Sequence, residues 1–502
     1  MLRIIRTVLA VLSLAAMLFV FADFTGAAAG WLGFLPKLQL VPALLALNFV
    51  ALGVLLVLTL VFGRVYCSVI CPLGISQDVV SRLRIWLAPK KKRKLGVYKT
   101  TKEHRKLRIG FLVVFLILAV LGLTGLLAMS YAGLLEPYSI FGRAAGQFVA
   151  PAWREAAVHI GDAAAPAYWL FDGVPAPGAF SWLLASIAAA QVLIIAILAW
   201  RGGRTYCNSI CPVGTILGWM SKFSLFKIHI DENKCVSCGK CARHCKAGCI
   251  DPKSHSVDYT RCVACMDCIG KCSTNAIAYR IPKRKEAEPV ADNTGRRSFL
   301  IGAGIAAGAL AANAADKVTD GGLAPIKAKK SHELATPLVP AGAISIKHLR
   351  SHCTACQLCI SACPNGVLKP SMSLDGFMQP TLVFTQGYCR PECTACADVC
   401  PAGAIEPIDV ATKAVTKIGT ATVDAWLCLS AKGESCGKCA KLCPAQAITM
   451  VRVDGHLRPV VDESRCIGCG SCEYHCPVGT AGQFSADHAA IYVEGIEKHH
   501  SI

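Results

Sequence analysis

Long apolar stretches alternate with polar ones in the first two hundred residues of this chain. Four of them are long enough to cross a membrane as helices, which takes about 20 apolar residues. They cover residues 4–22, 38–62, 109–131 and 180–200. We therefore expect residues 1–225 to form a membrane domain built as a bundle of four helices.

Basic residues set the expected orientation of this bundle. Residues 82–108 carry twelve Lys or Arg and one acid, Glu103. Because cytoplasmic loops are rich in Lys and Arg, we place this loop and the N-terminus in the cytoplasm. Residues 136–178 then lie outside, and the fourth helix returns the chain to the cytoplasm. The chain is expected to be a multi-pass protein of the cytoplasmic (inner) membrane.

Polar, cysteine-rich sequence follows the bundle in two blocks. Residues 226–282 are predicted to be a cytoplasmic domain, and residues 316–502 a second domain in the periplasm. Between them, residues 283–315 carry Arg296 and Arg297 before a weakly apolar run, Ile301–Ala315. This pattern resembles a twin-arginine (Tat) export signal, with a possible cleavage site after Ala314. The alternative is an uncleaved fifth helix, and both interpretations put the second block outside.

The cysteines indicate that this predicted membrane protein also binds metal. The chain has 29 of them in 502 residues, with 54% hydrophobic residues and a mean hydropathy of +0.48. Disulfide-rich scaffolds are small secreted chains, whereas 24 of these cysteines form six groups of four with ligand spacing. The net charge of +20 follows from the predicted membrane loop, so we expect no nucleic-acid partner.

Two of the six groups lie in the predicted cytoplasmic domain. A four-iron cluster takes three ligands from the first three cysteines of C-x2-C-x2-C-x3-C, and the fourth cysteine serves the neighbouring cluster. The spacing predicts one set of Cys235, Cys238, Cys241 and Cys272, and another of Cys262, Cys265, Cys268 and Cys245. Lys246 and Ser273 stand where a proline usually follows the fourth cysteine. Zinc is the alternative metal for paired C-x2-C groups.

Four more groups, each ending in Cys-Pro, lie in the predicted periplasmic domain. They are Cys353, Cys356, Cys359 and Cys363; Cys389, Cys393, Cys396 and Cys400; Cys428, Cys436, Cys439 and Cys443; and Cys466, Cys469, Cys472 and Cys476. The spacing does not tell which group pairs with which. The six groups together predict six [4Fe-4S] clusters, held in two α+β ferredoxin-like domains in which metal ligation supplements a small core.

Five cysteines lie outside these groups. Residues 64–74 read RVYCSVICPLG and residues 204–214 read RTYCNSICPVG. Each copy of this Cys-x3-Cys-Pro motif follows a predicted helix, and the two supply Cys67, Cys71, Cys207 and Cys211. These four either form a further iron–sulfur centre or redox thiols, or are inert buried residues of a structural turn. Cys249 stands alone and is expected to be a small buried residue.

These motifs and their order resemble two families of ferredoxin-type proteins. Residues 1–280 are similar to the NapH-type and MauN-type membrane proteins, and residues 290–490 to the NapG-type and MauM-type periplasmic proteins. The chain therefore looks like a fusion of the two. The resemblance implies transfer of electrons from the membrane quinone pool, as the electron-transfer component of a quinol dehydrogenase, to a periplasmic redox partner of the nitrate reductase type. The alternative is a redox maturation factor that activates a periplasmic metalloenzyme.

A quinol site is expected at the outer end of the third helix. Quinol oxidation releases two protons, and a carboxylate at the apolar boundary can accept them. Glu136 is the candidate base, with Tyr138 as its hydrogen-bond partner and Asp23 as the second choice. The competing interpretation is that Glu136 simply caps a helix.

Overall fold

The computed structural model describes residues 2–23, 27–89, 98, 105–124, 126–153, 155–156, 182–281, 318–320, 324–326, 331–453, 455–479 and 488–502. The predicted export signal, Arg296, Arg297 and Ile301–Ala315, lies outside the described residues. So do most of the lysines of the basic loop.

Three of the four predicted membrane helices are present at nearly their expected positions. They are Leu2–Ala22, Arg105–Thr124 and Trp182–Gly202, each long and apolar enough to cross a membrane. Their outward faces carry exposed aliphatic side chains such as Val11, Ile117 and Ile194. A lipid environment suits such a surface, which supports membrane association of the chain.

The second predicted span, 38–62, is broken. A short helix, Leu40–Leu45, ends before Leu47, which has a positive φ of 50°. A second helix, Phe49–Phe62, then starts at Asn48, whose side chain accepts a hydrogen bond from the Ala51 amide. Its 14 residues extend about 21 Å, so the described residues show three long spans and one shorter apolar helix.

Short helices connect and continue these spans. In chain order the helices of this region are α1 (Leu2–Ala22), α2 (Ala27–Leu32), α3 (Phe34–Lys37), α4 (Leu40–Leu45), α5 (Phe49–Phe62), α6 (Tyr66–Val69), α7 (Pro72–Leu87), α8 (Arg105–Thr124), α9 (Ser130–Gly133), α10 (Pro137–Ala144), α11 (Trp182–Gly202), α12 (Thr205–Ser209) and α13 (Pro212–Met220). A π-helical turn, Ala145–Val149, continues α10.

The first cysteine-rich domain, which we name the inner domain, contains one short α-helix and two two-stranded sheets. Its elements are β1 (Lys227–Ile230), α14 (Lys240–His244), β2 (Ile250–Asp251), β3 (Ser256–Val257) and β4 (Ile277–Arg280). Strand β1 pairs antiparallel with β4, and β2 with β3. Ile228, Ile230 and Ile277 form a small core of its own.

The second cysteine-rich domain, which we name the outer domain, has the same architecture of one-turn helices and two-stranded sheets. Its elements are α15 (Ile346–His352), α16 (Leu358–Ala362), β7 (Leu368–Pro370), β8 (Pro380–Leu382), α17 (Ala395–Asp398), α18 (Val410–Val415), β9 (Thr416–Val423), α19 (Lys438–Lys441), β10 (Ile448–Val453), β11 (His456–Val461), α20 (Ser471–His475) and β12 (Ile491–Ser501), preceded by a hairpin of β5 (Val318–Asp320) and β6 (Ala324–Ile326). The antiparallel pairs are β5–β6, β7–β8, β10–β11 and β9–β12.

The two cysteine-rich domains contact opposite ends of α1. At its beginning, Arg3 forms an ion pair with Asp267 of the inner domain. At its end, Phe21 packs beside Gly142, where the carbonyl of Cys356 of the outer domain also lies. A helix of 21 residues is about 31 Å long, close to the thickness of the hydrocarbon core of a bilayer.

The outer domain shares one hydrophobic core with the membrane helices, and Val263 and Cys265 of the inner domain also belong to this core. The shared core joins Met17 and Phe21 of α1 to Leu358 and Phe384. Arg143, fully buried, donates hydrogen bonds to the carbonyls of Gly133 and Ala355, and so ties the outer domain to the loop before α10.

Candidate iron–sulfur centres

The four groups with standard spacing fold into the same loop. In each, the two residues that flank the second cysteine have positive φ: Ser237 and Gly239, Ala264 and Met266, Ala355 and Gln357, Gly468 and Gly470. Alternation of right- and left-handed residues turns successive backbone N–H groups toward one concave side, a conformation that favours anions and occurs at iron–sulfur sites. The loops are thus shaped for a negatively charged thiolate cluster.

The inner domain brings its eight cysteines together as two sets. Cys241 lies within electrostatic range of Cys235, Cys238 and Cys272. Cys268 lies near Cys262, Cys265 and, from the other motif, Cys245. These are the exchanged sets expected from the spacing, and their ligation of iron stays a prediction.

Burial disfavours the thiolate form of Cys265. It raises the pKa of Cys265 to about 12, so that the free thiol stays protonated at neutral pH. A bound metal supplies positive charge that favours the thiolate. Among the described residues, no three His, Cys, Asp or Glu side chains converge tightly enough for a single metal ion. The thiols of each set come from short loops, as the ligands of a four-iron cluster do.

Lys246, which replaces the usual proline, has a docking role that the sequence did not reveal. Its side chain is 4% exposed. The ammonium group lies 2.8 Å from a carboxylate oxygen of Asp78 and 3.0 Å from one of Asp267. Asp78 also binds Arg6 at 2.9 Å and Arg204 at 2.7 Å. This buried network fastens the second inner set to α1 and α7.

Cys249 is buried, as expected, but it is not remote from the sets. Its sulfur lies 3.5 Å from that of Cys245, and it also interacts with Cys262. The hydrogen bond from Cys249, together with backbone N–H groups, lowers the pKa of Cys245 to about 6. Cys249 therefore supports two thiols of the second inner set.

The outer domain pairs its first group with its second, and its third with its fourth. Cys359 lies near Cys353, Cys356 and, from the second group, Cys400, while Cys396 lies near Cys389, Cys393 and Cys363. Cys439 lies near Cys428, Cys436 and Cys476. Cys472 lies near Cys466, Cys469 and Cys443. Four sets of four thiols result, and the pairing that the spacing left open comes from the fold.

The four outer sets are arranged in a row. The amide of Cys389 donates a hydrogen bond of 2.9 Å to the carbonyl of Cys469, and so joins the second set of the first pair to a set of the second pair. At the other end of the row, Cys353, Cys356, Cys359 and Cys400 face the membrane helices. The first outer set is therefore close to the helical segment around Tyr138 and Gly142.

The two Cys-x3-Cys-Pro motifs meet between the inner and outer domains. Cys67, Cys71, Cys207 and Cys211 are each 3–4% exposed, and Cys207 lies within electrostatic range of the other three. We name these four thiols the quartet. Each motif forms a short helix, a turn at the second cysteine and a new helix with proline in its first turn.

The two motifs bind each other reciprocally. Arg64 donates to the carbonyl of Cys207 at 3.2 Å, and Arg204 donates to the carbonyl of Cys67 at 2.6 Å. Both guanidinium groups are fully buried, and each also lies 3.8 Å from a quartet sulfur. This pseudo-twofold arrangement gathers four thiols and two positive charges, a donor set that suits a negatively charged iron–sulfur centre as well as it suits redox thiols.

Side chains on both sides of the quartet lead toward neighbouring sets. On the inner side, Arg64 donates to the carbonyl of Thr260, two residues before Cys262. On the outer side, the hydroxyl of Tyr206 donates to the carbonyl of Leu135 at 2.9 Å. Arg64 thus links the quartet to the inner domain, and Tyr206 links it to the segment that carries Glu136.

Glu136 and Tyr138 lie between the quartet and the first outer set. Glu136 is 1% exposed and accepts a hydrogen bond from the Ser139 amide, so it caps α10; its second oxygen is buried without a hydrogen-bond partner. Tyr138 is completely buried and interacts with Cys356 and Cys400. Asp23 also acts as a cap, for the amide of Ala28. Protein covers Glu136 and Tyr138 in this structure, and a quinol role for them stays a prediction.

Comparison with known proteins supports the iron–sulfur assignment. Family models described as 4Fe-4S dicluster domains match residues 352–404 and 434–480, and residues 258–367. A model described as a 4Fe-4S binding domain matches residues 228–251. Another with that description matches residues 44–94 and 182–231, the two segments that contain the quartet.

Curated relatives point the same way. The methylamine utilization ferredoxin-type protein MauM of Methylobacillus flagellatus is 35% identical over 159 residues, which are 29% of this chain and 67% of the relative. The ferredoxin-type protein NapF of Escherichia coli K12 is 32% identical over 133 residues, 26% of this chain and 74% of the relative. An uncharacterized protein of Methanocaldococcus jannaschii is 30% identical over 192 residues, 38% and 54% of the two chains. No solved structure matches.

Proposed function

This chain belongs to the ferredoxin-type iron–sulfur proteins, and from that premise we propose that it carries electrons across a cytoplasmic membrane, from the quinol pool to a redox partner protein in the periplasm. The observation that supports this proposal is the order of the thiol sets. They follow one another from the inner domain through the quartet to the outer row.

Each part of the chain has a task in this proposal. Clusters held by these sets accept and release single electrons. The protein keeps neighbouring sets close, excludes water from the quartet, and places Arg64 and Arg204 beside its sulfurs. The buried positive charge and hydrogen bonds around a centre tune its potential. The exposed end of the outer row is where a partner protein is expected to dock.

A test separates a continuous conductor from two unconnected domains. Six clusters bring about 24 irons per chain, and a centre at the quartet raises that number. In sealed vesicles with one orientation, a membrane-impermeant reductant given to the inner domain is expected to reduce the outer sets. The double variant Cys67→Ser, Cys207→Ser is expected to keep about 24 irons but to stop this transfer, whereas the neighbouring buried control Ser68→Ala keeps it. Unchanged transfer in the double variant would show that the quartet is not on the route.

The methylamine utilization proteins among the relatives favour one second candidate, a maturation factor that supplies electrons only while a periplasmic metalloenzyme is activated. Continuous turnover distinguishes the two. An electron carrier remains necessary at all times, whereas a maturation factor becomes dispensable once its client enzyme is active. Depletion of the chain after the client has matured, followed by measurement of client activity with quinol, decides between them.

A further inference from the structure

A cleft opens where α1 and α7 meet the inner domain, at the predicted cytoplasmic edge of the membrane. Its volume is about 660 Å³, within the range of about 300–1,000 Å³ that is usual for small-molecule sites. Its walls include Ile4, Thr7, Ile85, Trp86, His244 and Lys271.

The side of the cleft formed by the helices combines polar residues, Arg3, Thr7 and Arg82, with exposed apolar ones. Ile4 is 67% exposed and Trp86 is 66% exposed, although both lie on helices of a membrane domain. Tryptophan is enriched at the level of the lipid headgroups. A ligand with an apolar tail can therefore enter this cleft sideways from the bilayer.

The side formed by the inner domain offers an unused hydrogen-bond acceptor. His244 is 9% exposed, and its Nδ1 lies 2.9 Å from the carbonyl of Lys240. Because a carbonyl only accepts, Nδ1 carries the hydrogen of this bond, and Nε2 is the ring nitrogen that remains for a ligand. Nε2 is buried without a hydrogen-bond partner. Because His244 also lines the cleft, a turn of its ring toward the cleft would bring Nε2 to a ligand hydroxyl group.

The cleft also adjoins both thiol sets of the inner domain. His244 directly precedes Cys245, Asp267 precedes Cys268, and Lys271 precedes Cys272. All three wall residues are thus chain neighbours of thiols, from both sets. A ligand in this position is placed for electron exchange with the inner domain rather than with the outer row.

We propose that this cleft binds the head group of a membrane quinol, with one hydroxyl donating to Nε2 of His244 and the isoprenoid-type tail lying along Ile4 and Trp86. The assignment rests on the proposed quinol-driven function. The quinol becomes a quinone by losing two electrons and two protons. The electrons would pass singly to centres held by the adjacent sets, and the protons would leave to water on the polar side of the cleft, where Arg3, Asp267 and Lys271 lie.

This location gives the inner domain a role that a site at Glu136 would not give it. Electrons that entered beside Glu136 would reach the outer row directly and bypass the inner sets. Electrons that enter at the cleft pass through the inner domain, the quartet and the outer row in turn. The order of the thiol sets therefore matches entry at the cytoplasmic edge.

The test uses the full, cluster-loaded chain in lipid nanodiscs, with decyl-benzoquinol as the probe. Ile4→Trp fills the cleft, and Ile194→Trp makes the same change on the lipid face of α11 as the control. We expect Ile4→Trp to slow cluster reduction by quinol at least tenfold, and Ile194→Trp to leave it unchanged. His244→Leu is expected to raise the quinol concentration needed for half the maximal rate, and His244→Gln, which keeps an acceptor, to restore much of it. Iron content and reduction by dithionite must stay normal in every variant.

A binding measurement supplies a readout independent of electron transfer. An azido-quinone activated by light is expected to label peptides of α1 and α7 that line the cleft, with less label in Ile4→Trp. The assignment is overturned if quinol reduces the clusters of Ile4→Trp at the normal rate. It is also overturned if native mass spectrometry shows that the cleft releases only an anionic phospholipid. A third outcome separates the two proposals. If dithionite reduces the wild-type clusters and electrons reach the outer row, but quinol does not reduce the clusters, then this site and the quinol donor are both wrong. The proposal that the chain conducts electrons from the inner domain to the outer row would still hold.

Discussion

The buried network around Asp78 gives a sharp prediction about what holds the inner domain on the membrane helices. Asp78 is 4% exposed and pairs with three cations, Arg6, Arg204 and Lys246, each at most 5% exposed. Replacing it with asparagine preserves its size and removes its charge. Removal of one partner from a buried ion pair costs about 3–5 kcal/mol, because an uncompensated charge remains. We expect a cost of about 3 kcal/mol for Asp78→Asn.

Hydrogen exchange of the segment around Lys246 measures this cost locally. Three kcal/mol corresponds to about a hundredfold faster exchange through opening of the interface, since 1.36 kcal/mol is tenfold. Asp231→Asn is the matched control, because its ion pair with Lys234 is 4.0 Å long and solvent-exposed and such pairs contribute about 0–1 kcal/mol. Adding Arg6→Met to Asp78→Asn is expected to recover part of the loss, because Arg6 pairs with Asp78 and would otherwise remain as a stranded cation.

The pH dependence of this network follows from the direction of the Asp78 shift. Burial alone would raise the pKa of Asp78, but Arg204, Lys246 and Arg6 outweigh burial and hold the pKa well below its usual range. A lowered pKa in the folded state means that the stabilisation is complete above the unfolded value of about 3.9 and is lost as the pH falls below it. The contribution of Asp78 to protection from exchange should therefore stay complete and constant between pH 5 and pH 8. Equal exchange in Asp78→Asn and Asp231→Asn would refute the reasoning.

Three further predictions concern the quartet, the outer boundary and the export signal. Gly74→Ala would push a methyl group into the backbone carbonyl of Cys67, so we expect loss of the quartet geometry and a lower yield of folded protein; Gly53→Ala, which meets no atom within 4 Å, is the control. Glu136→Gln keeps the cap of α10, so cluster reduction by quinol is expected to stay near normal, and a large loss would return the quinol site to Glu136. Arg296→Lys combined with Arg297→Lys is expected to keep the outer domain in the cytoplasm, measured by protease protection in spheroplasts; export of this variant would favour a plain fifth helix.

The sequence alone was sufficient for features that depend on near neighbours in the chain. The cysteine spacing predicted the thiol groups, because each loop such as Cys353–Cys359 is a few residues long and its conformation is set locally. Hydropathy located three long helices within a few residues, since about 20 apolar residues satisfy their own backbone hydrogen bonds in lipid. The same reasoning overlooked the break at Leu47, where a turn capped by Asn48 interrupts an apolar run that has no proline or glycine at that point.

Only the tertiary structure decided how distant segments meet. The pairing of Cys363 with the group at Cys389, the meeting of the two Cys-x3-Cys-Pro motifs, and the contact of Lys246 with Asp78 join residues whose separation in the chain ranges from tens of positions to more than a hundred. Neither periodicity nor spacing carries information about such contacts, because the free energy that selects them comes from buried charges and shared cores that exist only after folding. The same holds for His244, an ordinary residue beside a cysteine motif until the fold places it in the wall of a cleft.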